Sequence, residues 1–404
     1  MSIVIIGSGA AGVSALETIR NIDKDVEIKI ISKDRATYSL CALPYYISNT
    51  IKEKNLWRLG KDFYKKMRAQ TLFGKEVIKV VPERNVVLLK DQKILYDKLL
   101  IATGSSPIIP KIKGIEKKGV FFLANLENSK KIKKAIKNVK RAVVIGAGSV
   151  GIECAIALKK LGVEVFVIEL LDRVLPKMLD RDMGEAVKKL LEQNGIKVIL
   201  EEQLLEITGD KKVGVVLLRN KKINCDLVVV STGVKPNIEL VRGTSIKTNI
   251  GIIVDKKLRT NIKNIYAAGD VAEGVDLLTR KRKINATWPN AIEQGKIAGY
   301  NLVGIPKIYE GLASVNVVNV FDTPVVALGL TSSEAPKCEQ IKVWQGKIIK
   351  KIILKNNKIV GMQAIGELKN SGLILSLINK GADCSKLKNR LLHEKFAYPL
   401  LTYT

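Results

Sequence analysis

Cys41 stands in the stretch ATYSLCALPYYIS (residues 36–48), flanked by Leu40, Ala42 and Leu43, with no second cysteine nearby. A thiol in such a setting is either a small buried apolar group or a nucleophile. Proline suits only the first turn of a helix, so the helix that carries Tyr45, Tyr46 and Ile47 has to begin near residues 40–44. Cys41 then lies within a turn of a helix N-terminus, where the peptide dipole favours the thiolate and lowers its pKa. Cys154, Cys225, Cys338 and Cys384 show no CxxC spacing and are read as structural. With one histidine, His393, and scattered cysteines, no metal site and no serine–histidine triad is expected.

Two glycine clusters are the other residues with a chemical reading. IVIIGSGAAGVSALETIR (3–20) and AVVIGAGSVGIECAIALKK (142–160) each run from an apolar strand through G-x-G-x-x-G into an amphipathic helix. A second strand follows each, VEIKII (26–31) and VEVFVIE (163–169). In such a βαβ unit the first glycine allows the tight turn and the second lets backbone approach a pyrophosphate. The third lets helix pack on strand, and the helix N-terminus faces the diphosphate. Those roles fall to Gly7, Gly9 and Gly12, with Ser8, Ala10 and Ala11 between them. In the second copy they fall to Gly146, Gly148 and Gly151, with Ser149 and Val150 opening the helix.

Glu169 ends the second strand of the second copy, where a carboxylate accepts hydrogen bonds from an adenosine ribose and repels a 2′-phosphate. That favours NADH, while the nearby Arg173 keeps NADPH open. The first copy has Ser32, Lys33 and Asp34 there instead: Ser32 or Asp34 would bind the ribose, and Lys33 would approach a phosphate. KLLIATGSSP (98–107) and DLVVVSTGVKPN (226–237) also echo each other, setting Ala102-Thr103-Gly104 and Gly233 after apolar strands. NIYAAGDVAE (264–273) adds Gly269-Asp270, a carboxylate for the ribityl or phosphate region of a nucleotide. Two dinucleotide sites imply two cofactors, and a flavin dinucleotide with a nicotinamide is the economical pair.

These residues have to be held by an α/β fold of two Rossmann-like, doubly wound nucleotide-binding domains. Beyond residue 300, KIIKKIILKNNKIVGMQAIG (347–366) alternates and turns at Asn356-Asn357, and SGLILSLINKGA (371–382) reads as a helix, giving a C-terminal α+β domain. The length of 404 residues suits two or three domains, and 47% hydrophobic residues can bury a large core. The N-terminus shows no leader, and no apolar run approaches the roughly 20 residues of a membrane span, so a cytoplasmic protein without membrane contact is expected. The net charge of +29 reads as a solvated lysine surface or as attraction to an anionic partner such as an acidic electron carrier. Its lysines are spread along the chain without an aromatic-interleaved block, which disfavours nucleic acid.

The ordered set Gly7 to Gly12, Ala102-Thr103-Gly104, Gly146 to Gly151, Gly233 and Gly269-Asp270 resembles the FAD-dependent pyridine nucleotide-disulfide oxidoreductase superfamily over nearly the whole chain. The resemblance implies FAD, with NADH or NADPH as second nucleotide. It implies an FAD-binding domain (1–112 and 244–303) split by an NAD(P)-binding domain (113–243), a C-terminal dimerisation domain (304–404), and a homodimer. Glu153 falls where relatives hold an acid near the nicotinamide. The CxxxxC pair of dithiol members is absent. YSLCALPYYIS is similar instead to the single-cysteine branch of coenzyme A disulfide reductases, NADH oxidases and peroxidases, and NAD(P)H sulfur reductases, with Cys41 on its redox cysteine. Hydride from NAD(P)H would then pass through the flavin and Cys41 to a disulfide, polysulfide or sulfur acceptor. NADH peroxidases carry a histidine near the first fingerprint, where this chain has Ser8 and Ala10. EKFAYPLLTYT resembles the segment by which coenzyme A disulfide reductases supply a tyrosine across the dimer, which matches Tyr398. WPNAIEQGKIAGYNLVG (288–304) is similar to NADH:acceptor electron-transfer flavoproteins, which implies the alternative of delivery to an iron–sulfur protein or larger complex.

Overall fold

In the computed structural model, which describes residues 1–57, 59–60 and 62–391, the chain divides into two units. The first comprises residues 1–39, 54–106 and 234–312. Ser2–Ile6 is a run of aliphatic side chains after its first residue, and Ile3, Val4 and Ile5 are wholly buried. Such a run fits a strand covered on both faces, which is what a parallel sheet with helices on each side provides. The sheet has the order Ile265–Ala267, Lys98–Ile101, Ser2–Ile6, Glu27–Ser32, Ala69–Phe73, all parallel. Helix Ala10–Ile22 buries Ala11, Ala15, Leu16 and Ile19 and crosses helix Trp288–Leu302 closely. Small residues make that crossing: a Cβ at Gly295 would meet the Ala11 carbonyl oxygen at 2.3 Å.

The second unit comprises residues 40–53, 107–233 and everything from 313 onward. Its parallel sheet repeats the plan, in the order Ile196–Ile199, Glu164–Ile168, Arg141–Ile145, Leu227–Val230, Val120–Phe122, with helix Ser149–Lys160 after the central strand. A second sheet is antiparallel, in the order Val315–Val320, Thr323–Gly329, Lys358–Ile365, Ile348–Lys355, Glu339–Gln345. Asn356 and Asn357, at φ of 51° and 60°, form the two-residue turn between Ile348–Lys355 and Lys358–Ile365. That left-handed pair matches the twist of the strands it joins. Helix Ser371–Lys380 ends at Gly381 in the left-handed region. The α/β class and the antiparallel addition agree with the sequence reading. Among the described residues no helix is long and apolar enough to cross a membrane.

Candidate active site

The first glycine cluster lies where three parallel strands end. Gly7 follows Ser2–Ile6 with φ of +111°, and a Cβ there would sit 2.1 Å from the Ala102 carbonyl oxygen, just beyond Lys98–Ile101. Only glycine permits that approach. A Cβ on Gly12 would lie 2.0 Å from the Gly7 carbonyl oxygen, so helix and turn are in backbone contact. Gly9 is different: it is exposed, and a Cβ added there would meet nothing within 4 Å. Its absent side chain leaves an open cradle at the start of helix Ala10–Ile22, the geometry a diphosphate requires.

Gly269 closes the same corner. Its added Cβ would come within 3.1 Å of Ala11, and its N–H donates to Gln294 Oε1 at 2.7 Å. Asp270 accepts from Ser105 Oγ at 2.8 Å, and burial pushes its carboxyl above the usual range. Thr103 and Gly104 are tied to Asn237: the Thr103 hydroxyl donates to the Asn237 carbonyl (2.9 Å), Asn237 Nδ2 donates to the Thr103 carbonyl (2.8 Å), and the Asn237 N–H donates to the Gly104 carbonyl (3.0 Å). The first fingerprint, Ala102-Thr103-Gly104 and Gly269-Asp270 therefore converge at one sheet edge.

The second cluster repeats this geometry in its own unit. Gly146 has φ of +101°, and its Cβ would lie 2.2 Å from the Ser231 carbonyl oxygen; that of Gly151 would lie 2.0 Å from Gly146 O; Gly148 faces open space. Ser149 and Val150 open the helix beside it, Val150 with its side chain exposed. Gly233 takes φ of +104° in the turn whose carbonyl accepts from the Ile108 N–H at 2.9 Å. The two copies differ at the end of the second strand. Glu169, 8% exposed, accepts from the Ala147 N–H at 2.7 Å and the Leu171 N–H at 3.0 Å. Ser32 occupies the matching register in the first copy, since Ile31 pairs with Ile6 as Ile168 pairs with Ile145. Its hydroxyl accepts from Ser8 Oγ at 3.0 Å and from the Asp34 N–H at 3.2 Å. A hydroxyl pair thus stands where the second copy has a carboxylate. Lys33 beside it is exposed, and burial raises the Asp34 carboxyl against the opposing charge of Lys33.

Glu153 lies half-buried on helix Ser149–Lys160, and burial pushes its carboxyl up to about 7. The next residue, Cys154, is fully buried with its thiol pushed up to about 12, as is that of Cys225. Cys384 is buried and Cys338 half-buried, whereas Cys41 is exposed. It sits in the 3-10 turn Leu40–Ala42 that leads into helix Leu43–Ile47, with Pro44 in the first turn as the sequence requires. Five residues do not make a self-sustaining helix, so its placement depends on anchors in the second unit. Ile47 is wholly buried in a cluster with Ile132, Ile152 and Val318. Lys133 Nζ donates to the Tyr46 carbonyl at 3.0 Å and lies 4.0 Å from that ring's centre. Asn319 Nδ2 donates to the Tyr45 hydroxyl at 3.3 Å. Tyr398 and His393 lie outside the described residues.

This arrangement has counterparts among known proteins. Residues 1–295 match the pyridine nucleotide-disulphide oxidoreductase family. The chain belongs to that family. It is an FAD-dependent NAD(P)H oxidoreductase. An NADH oxidase of Methanocaldococcus jannaschii is 35% identical over 393 residues, covering 91% of this chain and 88% of its own. An NAD(P)H nitrite reductase of Bacillus subtilis is 34% identical over 390 residues, covering 95% of this chain but 48% of its own. The solved structure of an NAD-dependent persulfide reductase from A. fulgidus superposes with a TM-score of 0.91 at 32% identity, covering 99% of this chain and 80% of that one.

Several site features of this oxidoreductase escaped the sequence reading. Asn237 lies four residues beyond Gly233, and nothing in its type announced three bonds to Thr103 and Gly104. Gln294 is within the quoted stretch 288–304 without having been singled out. Ser105 follows the Ala102-Thr103-Gly104 motif directly, so a hydroxyl adjoining such a turn was the available signal.

Proposed function

We propose that this oxidoreductase uses NAD(P)H to reduce sulfur–sulfur bonds through Cys41. The observation that carries the reading is the contrast among its thiols: Cys41 is exposed, while Cys154 and Cys225 are held as thiols by burial. The likeness to a persulfide reductase points to the same substrate class. In this reading Gly7, Ser8, Gly9, Ala10, Ala11, Gly12, Ser32, Lys33, Asp34, Ala102, Thr103, Gly104, Gly269 and Asp270 hold FAD. Gly146, Gly148, Ser149, Val150, Gly151, Glu153, Glu169 and Gly233 hold the pyridine nucleotide. The open faces of Gly9 and Gly148 fit a diphosphate in each cradle. The FAD domain is residues 1–112 and 244–303, the NAD(P) domain 113–243, and 304–404 the dimerisation domain of a homodimer to which Tyr398 adds its hydroxyl.

Bound FAD supplies the two-electron relay between the nicotinamide and sulfur. The residues of the chain do the rest. Gly9 and Gly148 admit the diphosphates, and Glu169 orients the adenosine ribose. The Cys41 thiolate attacks one sulfur of R–S–S–R′, forming Cys41–S–S–R and releasing R′–S⁻. Two electrons from NAD(P)H then cleave that bond to the Cys41 thiolate and R–S⁻. Cys41→Ser leaves no thiolate to attack, so reduction of a small disulfide or persulfide should fall at least about a hundredfold. NADH-dependent reduction of a one-electron dye by the same variant should stay within about threefold of wild type. Undiminished disulfide reduction by Cys41→Ser would end this reading and favour direct electron delivery to a protein acceptor.

A further inference from the structure

The loop that follows Glu169 holds a charge arrangement that the glycine cradle does not explain. Arg173 is the cation next after Glu169 in the chain, and its Nη1 donates to both oxygens of Asp172, at 2.9 and 3.3 Å. Arg181, the first residue of helix Arg181–Gln193, reaches the same carboxylate, with Nε 3.7 Å from Oδ2. Arg173 Nε is buried and makes no hydrogen bond. Two guanidinium groups therefore converge on one carboxylate, while one of them keeps a donor unused. Guanidinium forks hold phosphate and carboxylate by the same planar geometry, so this is the donor set a phosphate would use.

We propose that Asp172 makes this oxidoreductase prefer NADH, because its carboxylate fills the anion position between Arg173 and Arg181 that the 2′-phosphate of NADPH would otherwise take. The inference rests on reading the second cradle as the pyridine-nucleotide site with Glu169 at the adenosine ribose. Glu169 repels a 2′-phosphate directly. Asp172 acts one step away, by cancelling the positive charge that would offset that repulsion. The loop itself does not depend on Asp172. Its backbone is fixed by the Leu175 N–H on the Ala147 carbonyl at 2.8 Å, and further on by Asp180, which accepts from the Ser332 N–H and hydroxyl at 3.0 and 2.8 Å. Asparagine at 172 keeps the shape and removes the charge.

The test is calorimetric titration of the oxidised holoenzyme with NAD⁺ and with NADP⁺, neither of which reduces the bound flavin, at fixed ionic strength. Asp172→Asn should tighten NADP⁺ by about tenfold and change NAD⁺ by less than about threefold. Adding Arg173→Met should erase the gain. Asp172→Ser, which also lacks the charge, should give the same direction and guards against a folding defect peculiar to one variant. Glu169→Gln serves as control for the underlying reading and should weaken NAD⁺. If Glu169→Gln weakens NAD⁺ but neither Asp172 variant alters the NADP⁺ to NAD⁺ ratio, the role of Asp172 is overturned and the site stands. If Glu169→Gln leaves NAD⁺ binding unchanged, the site assignment fails, and the inference with it.

Discussion

At the scale of single residues, environment sorts groups of the same chemistry into different tasks. Cys41 and Cys154 are both cysteines, yet one is exposed and the other is sealed in apolar surroundings that push its thiol up to about 12. A brief, substoichiometric treatment with iodoacetamide near pH 7.5 should therefore alkylate Cys41 ahead of the other four, and peptide mass spectrometry would reveal the order. Preferential labelling of Cys154 or Cys225 would contradict the burial described above. Glu153 gives a pH prediction with a definite sign. Burial raises its folded-state pKa to about 7, above that of the unfolded chain, so the folded state holds the proton longer. Its stabilising contribution is present below the ordinary carboxylate range and is lost as pH rises through about 7. Melting temperatures across pH 5–8 should fall more steeply for wild type than for Glu153→Gln; parallel curves would refute the shift.

At the scale of elements, the strand–glycine–helix units were legible because each glycine has a distinct steric reason. Gly7 and Gly12 face backbone oxygens at about 2 Å, whereas Gly9 faces nothing. Gly12→Ala should thus cost roughly 1–3 kcal/mol of apoprotein stability or prevent folding. Gly9→Ala should leave the apoprotein melting temperature unchanged and weaken FAD retention, as flavin fluorescence after gel filtration would record. An apoprotein destabilised equally by both would remove the distinction. The hairpin at Asn356-Asn357 was legible for the same reason, since a two-residue left-handed turn needs such residues. The exchange of Glu169 for Ser32 was visible as a missing acid, but its replacement by a Ser8–Ser32 hydroxyl pair was not, because only register across two strands brings them together. The segment around Cys41 shows where sequence gives out. Pro44 fixed where its helix begins, but the anchors Lys133 and Asn319 are far along the chain, and no local pattern links them to Tyr46 and Tyr45. Truncating the buried anchor, Ile47→Ala, should cost roughly 2–5 kcal/mol in denaturant unfolding and lower the rate of Cys41 alkylation or of turnover with it.

At the scale of the whole molecule, two copies of one nucleotide-binding plan give the chain two cradles that differ in charge at the ribose end, and the net charge of +29 surrounds both. That charge matters only for acceptors that bear charge themselves. Reduction of a neutral disulfide should be nearly flat from 50 to 300 mM salt, whereas delivery to an acidic iron–sulfur protein should fall steeply over that range. Steep salt dependence with the neutral substrate would place the limiting step elsewhere. The central claim concerns the redox capacity of one thiol. It is tested most directly by anaerobic NADH titration of the flavin-loaded protein, first oxidised with a small disulfide and then freed of it, for wild type and Cys41→Ser in parallel. The account predicts that wild type takes up one electron pair per flavin more than the variant before the flavin spectrum is fully bleached. Equal uptake by the two proteins would contradict it, and would leave the flavin as the one redox centre from which any acceptor must draw.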